Sequence, residues 1–261
     1  MSSQERTSKI TFWVLNGLLA AAFILEFTVP QYSNAVYGGV IVLAAAASIA
    51  SLHRQLPLQN VLGAAAITAV IGGIAHASSY HLALPFGPVV FSTNAGAMLF
   101  DTEPWTLPFL WIVGVFNARG MARLILRPWR KVNNYGVWLM GLTAALAIAF
   151  DVALEPFATL VRHFWHWEHT KIPITWAGAS LMNFIGWGAV TLLIMLFVTP
   201  ILIRKQPGSS GSPDIHPLFL WLGALVLFAV GCGRLGLWWP VGVDSLIAVV
   251  TAILAIRGVK W

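Results

Sequence analysis

Cysteine and charge are both scarce in this sequence. A single cysteine, Cys232, among 261 residues excludes an internal disulfide framework and a cysteine-based zinc site. Only 9% of the residues are charged, whereas 58% are hydrophobic and the mean hydropathy is +0.80. A soluble domain needs more polar surface than this composition provides. The sequence therefore predicts an integral membrane protein.

Long apolar runs are abundant, and their lengths predict membrane-spanning helices. A bilayer core needs about 20 apolar residues per helix. Eight runs meet this requirement, at about 11–29, 34–52, 58–79, 104–125, 134–154, 177–201, 217–235 and 239–256. We therefore predict an all-α integral membrane protein of about eight transmembrane helices, forming one polytopic domain over residues 1–261. The stretch 205–216, "KQPGSSGSPDIH", has the composition of a flexible loop.

Lysine and arginine are distributed unevenly over this topology. Twelve of the fifteen fall on the side that holds both termini, and only Arg162, Lys171 and Arg234 fall on the other side. The asymmetry predicts a cell-membrane protein with both termini in the cytoplasm. It also explains the net charge of +6 by contact with anionic membrane lipid, so we expect no nucleic-acid partner.

The connection between the third and fourth predicted spans differs from an ordinary loop. Its sequence, "HLALPFGPVVFSTNAGAMLFDTEP", is too apolar for a free loop and too broken by proline and glycine for a helix. Irregular backbone is tolerated at membrane depth only inside protein or beside water. We therefore predict a re-entrant segment that lines a cavity.

Ionisable side chains within membrane spans are costly and suggest a functional site. In the predicted topology they gather in the outer half of the bundle, at Glu26, His76, His81, Asp101, Glu103, Asp151, Glu155 and Asp244. Asp151 and Glu155 share one helical face because they are one turn apart. Against an apolar wall, such a pair favours a protonated carboxylic acid at neutral pH. The alternative is a pair of solvated carboxylates at a helix end.

The stretch 163–173, "HFWHWEHTKIP", concentrates histidine and tryptophan. On a helix, His163, His166 and His169 would spread over about 120°, which is too wide for a compact metal-binding face. An interfacial amphipathic segment, with tryptophan and histidine at the level of the lipid headgroups, explains these residues better. We therefore predict no metal site.

Two blocks within residues 76–187 resemble a known family, the carotenoid biosynthesis membrane proteins typified by carotenoid 1,2-hydratases. The later block shares Asp151, Pro156, Trp165, Trp167, Gly178, Asn183, Phe184, Gly186 and Trp187. The earlier block shares Pro85, Phe86, Gly87, Gly96, Leu99, Phe100, Pro108 and Trp111. The chain departs from the family pattern where His76 replaces a glutamate, Leu82 and Ala83 replace Thr-Gly, Val89 and Phe91 replace tyrosines, and Ser180 replaces a proline.

The resemblance implies acid-catalysed addition of water to a terminal double bond of an acyclic carotenoid, without a metal or redox cofactor. The proton donor would be Asp151, with Glu155 or His76 as its partner or as the base that orients water, and Asn183 would hold the water or the acid. Substrate-binding aromatic residues would be Trp165, Trp167, Trp187, Phe86 and Trp111. The implied partners are a polyene lipid, water, membrane lipid and other enzymes of the same pathway.

Three alternatives stay open at the level of the sequence. The first is isomerisation or cyclisation of a related polyene, which shares the protonation step and differs in how the cation is quenched. The second is a carotenoid-binding accessory protein without enzymatic activity. The third is a metal-dependent oxygenase built on the histidines.

Overall fold

The computed structural model describes residues 3–28, 33–169, 174–202 and 213–261. Part of the predicted loop 205–216 and the side chain of Glu26 lie outside the described residues. Eight α-helices are found in the described part: α1 (Ser3–Thr28), α2 (Ser33–His53), α3 (Leu58–Leu82), α4 (Leu107–Ile125), α5 (Tyr135–Pro156), α6 (Leu181–Val198), α7 (His216–Arg234) and α8 (Trp238–Val259). Each helix lies at a position where the apolar runs predict one.

Six of these helices, namely α2, α3, α5, α6, α7 and α8, are long and apolar enough to cross a membrane. Within α1 the described apolar stretch is shorter, Lys9–Ile24. Helix α4 is not among the six, and it carries Asn117, Arg119 and Arg123. The helices thus support the predicted class, a multi-pass helical membrane protein.

Helix α4 lies at the centre of the bundle. It packs against α2, α3, α5, α7 and α8, and most of its side chains are buried. Glycines on two neighbouring helices permit this close packing. A Cβ atom at Gly72 would collide with the indole of Trp111, and one at Gly258 would collide with the carbonyl oxygen of Leu124. Small residues at such contacts are typical of helix packing in lipid.

Two arginines, Arg119 in the second half of α4 and Arg127 just beyond it, donate hydrogen bonds at the ends of other helices. Arg119 is buried, and its guanidinium donates a hydrogen bond to the carbonyl oxygen of Leu202, just beyond α6, at 3.3 Å. Arg127 donates to the carbonyl oxygen of Val259 in α8 at 3.4 Å. The last carbonyl groups of a helix lack partners within the helix and carry partial negative charge, so these arginines stabilise two helix C-termini.

Three short antiparallel sheets lie between the helices, formed by β1 (Val89–Phe91) with β4 (Trp165–Trp167), β2 (Met98–Leu99) with β3 (Glu103–Pro104), and β5 (Thr175–Trp176) with β6 (Ala179–Ser180). The β1–β4 pair joins the segment after α3 to the segment after α5. Its register places Val89 opposite Trp167 and Phe91 opposite Trp165. The sheets therefore fix the connections of the bundle relative to one another.

The helical geometry considered for the three histidines is wrong. His163 has a left-handed backbone with φ of 52°, and His166 lies in β4, where it is exposed. Pairing with β1 explains why this stretch is a strand and not a helix, because the backbone groups of β4 form hydrogen bonds with β1 and are not available for the hydrogen bonds of a helix. Alternation along this strand directs Trp165 and Trp167 to one face and His166 to the other.

Candidate functional site

Two carboxyl groups lie at the end of α5. Asp151 and Glu155 are one helical turn apart, and each is about 1% exposed. Beyond them the chain passes through Pro156 into a π-helical turn, Phe157–Val161, and then reaches β4. The chain reverses its direction here, so the tryptophans of β4 lie near the carboxyl groups.

The side chain of Asn183 joins the two carboxyl groups. Asn183 is buried in the first turn of α6, and its amide nitrogen donates to Asp151 Oδ2 at 2.5 Å and to Glu155 Oε1 at 3.3 Å. One amide thus holds both acids in a fixed arrangement.

Two indole groups complete the surroundings of Glu155. The Nε1–H groups of Trp165 and Trp167 donate to Glu155 Oε2 at 3.3 and 2.9 Å. Both indoles reach the same oxygen because the two tryptophans lie on the same face of β4. We define the carboxyl cluster as Asp151, Glu155, Asn183, Trp165 and Trp167. The donors described for its acids are all neutral groups.

The two acids differ in their hydrogen bonding. Glu155 accepts hydrogen bonds at both oxygens, whereas Asp151 Oδ1 has no hydrogen-bond partner among the described residues. The same holds for Asn183 Oδ1 and for the buried Ser180 Oγ. Buried polar atoms without partners are uncommon in native proteins, and water or a ligand is a usual explanation. The acid with a free oxygen is therefore Asp151.

A group of aromatic rings lies beside α6. The indoles of Trp111 and Trp187 stack with their centroids 4.1 Å apart, and Phe86 lies 5.9 Å from Trp111 and 6.4 Å from Trp187. The imidazole of His76 stacks on Phe86 at 4.4 Å. Neither ring nitrogen of His76 has a partner among the described residues. Hence His76 belongs to this aromatic group and makes no hydrogen bond to the carboxyl cluster.

Helix α6 and the turn after α3 connect the aromatic group with the carboxyl cluster. Asn183 and Trp187 lie one turn apart on the same face of α6. A Cβ atom at Gly186 would lie 2.8 Å from the carbonyl oxygen of Pro85, so only glycine permits this contact. The position of a Cβ at Gly87 would be 3.5 Å from Ser180 Oγ and 3.8 Å from the ring of Trp167. The Pro-Phe-Gly turn is therefore packed against both groups.

Two features near the site could not be predicted from the sequence. Ser180, which departs from the family pattern, has a buried hydroxyl that lies 3.5 Å from the position of a Cβ atom at Gly87. Tyr37 is buried against Phe157 and Phe164, and it lines the same cleft as Trp165 of the carboxyl cluster. A tyrosine in an apolar run gives no signal of its own. Among the described residues, no group of three or more His, Cys, Asp or Glu is arranged to hold a metal ion.

The fold and the site together define a multi-pass helical membrane protein with a buried carboxyl cluster bounded by tryptophans. Residues 35–251 match the family model for carotenoid biosynthesis proteins, and the chain belongs to that family. No curated protein and no solved structure matches the chain. The resemblance noted over residues 76–187 is thus confirmed at the level of the family, and the match extends over most of the chain. A role in carotenoid biosynthesis follows, and this role fits a polyene substrate.

Proposed function

We propose that the protein adds water to a terminal double bond of an acyclic carotenoid by acid catalysis. The observation that carries the proposal is the arrangement of Asp151 and Glu155, two buried acids one turn apart that share the amide of Asn183. Two negative charges are unfavourable so close together in an apolar interior, so the pair is expected to hold one proton. Protonation of an alkene requires an acid of this kind.

The hydrogen bonds assign different roles to the two acids. Glu155 accepts from two indoles and one amide, which suits a carboxylate. Asp151 has a free Oδ1, which suits the oxygen that carries the transferable proton. In the proposed reaction, the O–H bond of Asp151 breaks and a C–H bond forms at the less substituted carbon of the terminal double bond, which leaves a tertiary carbocation at the other carbon.

Water then adds to the carbocation. A C–O bond forms, and the proton released from the water passes to Glu155. Return of this proton to Asp151 restores the starting state, and the net reaction converts one alkene and one water into a tertiary alcohol. Asn183, which lies between the acids, holds them in place, and its free Oδ1 can accept a hydrogen bond from the water.

Aromatic rings are the proposed stabilisers of the cation. A cation over an aromatic face gains about 0.5–2 kcal/mol. Trp165 and Trp167 lie directly beside the acids, and Trp187, Trp111 and Phe86 extend the aromatic surface along α6. His76, stacked on Phe86, belongs to this surface and is the secondary candidate for orienting water.

The proposal includes the arrangement in the membrane. With both termini in the cytoplasm and all eight helices crossing the bilayer, the carboxyl cluster lies in the outer half of the bundle. The segment 83–106 then re-enters the protein beside it. Two observations support this arrangement. Helix α4 packs among five other helices, and a Cβ atom at Gly73, well inside α3, would lie 3.7 Å from Cγ of Pro108 at the start of α4.

Expression in a lycopene-accumulating host tests the reaction. Wild-type protein should yield pigments heavier by one water molecule, and Asp151→Asn should abolish them because the amide cannot supply the proton. Asp244→Asn is the matched control, since Asp244 is an equally buried acid in α8 and not part of the cluster. Mass spectrometry of extracted pigments is the measurement. Equal hydrated product from Asp151→Asn and wild type would refute acid catalysis by Asp151.

A further inference from the structure

Two narrow apolar clefts lie side by side near the carboxyl cluster, and we call the pair the groove. The outer cleft is lined by residues of α2, α4 and α5 and by Trp165. The inner cleft is lined by residues of α1, α2, α4, α5 and α7. The two clefts share Tyr37, Ile41 and Leu110 in their walls, so they are direct neighbours.

The course of the groove can be followed on three helices. From the outer to the inner cleft, the lining passes from Gly38 to Ala44 on α2, from Leu107 to Val113 on α4, and from Leu154 to Phe150 on α5. Since α5 runs antiparallel to α2 and α4 in the bundle, all three helices give the same direction. The groove therefore runs along the helix axes, past the part of α5 that carries the two acids.

The groove has the length of one part of a long hydrocarbon chain. Along α2 the distance from Tyr37 to Ala44 is about 10 Å, and along α7 the lining from Leu220 to Phe228 covers about 12 Å. These lengths are well under the roughly 30 Å thickness of the hydrocarbon core. A long occupant would thus continue beyond the groove into the lipid.

The lining is almost entirely hydrocarbon and aromatic. Hydroxyl groups are contributed by Tyr37 and Thr106, and the remaining side chains of both clefts are apolar. An occupant therefore needs no charged or polar headgroup within the groove. This excludes the head of a phospholipid from it and favours an unbranched or methyl-branched chain without polar atoms.

Trp165 connects the groove with the chemistry of the site. Its ring lines the outer cleft, while its Nε1–H donates to Glu155 Oε2 at 3.3 Å. Leu154, which also lines the outer cleft, directly precedes Glu155 in α5. A chain lying in the groove would therefore end against the indole that holds one of the two acids.

We propose that this groove binds the apolar body of an acyclic isoprenoid chain and places one end of that chain at Trp165. The inference deepens the proposed function, because it assigns the binding site for the same substrate class. Binding in the groove and the proposed reaction depend on different residues. Binding in the groove depends on Ala44, Ile41 and the facing wall of α7, and it does not depend on proton transfer from Asp151.

The test measures lycopene that copurifies with the full-length protein from a lycopene-accumulating host, as visible absorbance per mole of protein. Ala44→Phe fills the inner cleft and should lower the bound pigment about tenfold. Ala66→Phe, on an exposed position of α3, is the matched control and should leave it unchanged. Size-exclusion chromatography in detergent checks that each variant remains folded. If Ala44→Phe does not fold, Ala224→Phe narrows the same cleft from the half-buried face of α7.

The outcomes separate the groove from the reaction. Pigment bound by Asp151→Asn but lost from Ala44→Phe supports the groove, whether or not wild-type protein makes a hydrated product. Wild-type levels of bound pigment in folded Ala44→Phe or Ala224→Phe would overturn it. Recovery of a membrane lipid, or of no chain, in wild-type protein from this host would overturn it as well.

Discussion

Replacement of Asn183 by leucine tests whether the amide holds the carboxyl cluster together. The leucine side chain is close in size but cannot donate to Asp151 Oδ2 or Glu155 Oε1, which now receive bonds of 2.5 and 3.3 Å. A buried acceptor that loses its donor costs about 1–3 kcal/mol. We therefore expect Asn183→Leu to lose about 2 kcal/mol of stability, which corresponds to about 4–8 °C in the unfolding midpoint.

The control for this substitution lies on the same helix. Thr191 is fully buried in α6, and its hydroxyl has no partner among the described residues. Thr191→Val removes an unpaired polar group without changing the shape of the side chain, so it should be neutral or slightly stabilising. Unfolding in detergent, followed by intrinsic fluorescence, measures both variants. The hydrated pigment should also fall at least about tenfold in Asn183→Leu, because the acids lose their fixed arrangement.

Equal midpoints and equal pigment profiles for Asn183→Leu and Thr191→Val would refute this reasoning. They would show that the two acids are held in place by something other than the amide. A lower midpoint with unchanged hydrated pigment would assign Asn183 a purely structural role.

Two further predictions concern packing and pH. Gly258→Ala should lower the unfolding midpoint strongly, because the added Cβ would collide with the backbone carbonyl of Leu124. Gly141→Ala is the control and should be neutral, since a Cβ at that position meets open space. Equal midpoints for the two variants would contradict the close contact between α4 and α8. Burial raises the pKa of Glu103, between α3 and α4, to about 8 from an ordinary value of 4.5. The folded protein then binds the Glu103 proton more tightly than the unfolded chain, so wild-type stability should fall relative to Glu103→Gln as the pH rises from about 5 to 8. If the unfolding midpoints of wild type and Glu103→Gln depended on pH in the same way, Glu103 would not contribute to the pH dependence of stability.

The helices could be predicted from the sequence because membrane spans leave a strong one-dimensional signal. The run 58–79 became α3 (Leu58–Leu82), and the run 239–256 became α8 (Trp238–Val259). Backbone groups must bond within each segment in lipid, so length and hydropathy are sufficient to locate such helices. The central position of α4 has no comparable signal, since it depends on which glycines face which neighbours.

The candidate site was only partly predictable. The spacing of Asp151 and Glu155 places them on one helix face, and this follows from helix geometry alone. The strand at Trp165–Trp167 was missed because its partner, β1, is far away in the sequence. The groove was missed for a related reason: its lining comes from several helices, and each of its residues is an ordinary apolar residue in an ordinary span.

The order of the residues along the chain determines when the carboxyl cluster can form during synthesis. The tryptophans of β4 reach Glu155 in the conformation that the pairing of β1 with β4 fixes, and Asn183 follows later in the chain. A nascent chain that has inserted only its first five helices therefore contains both acids but lacks their amide. Assembly of the cluster is coupled to insertion of α6, so an incompletely inserted protein holds two buried acids without the donor that joins them.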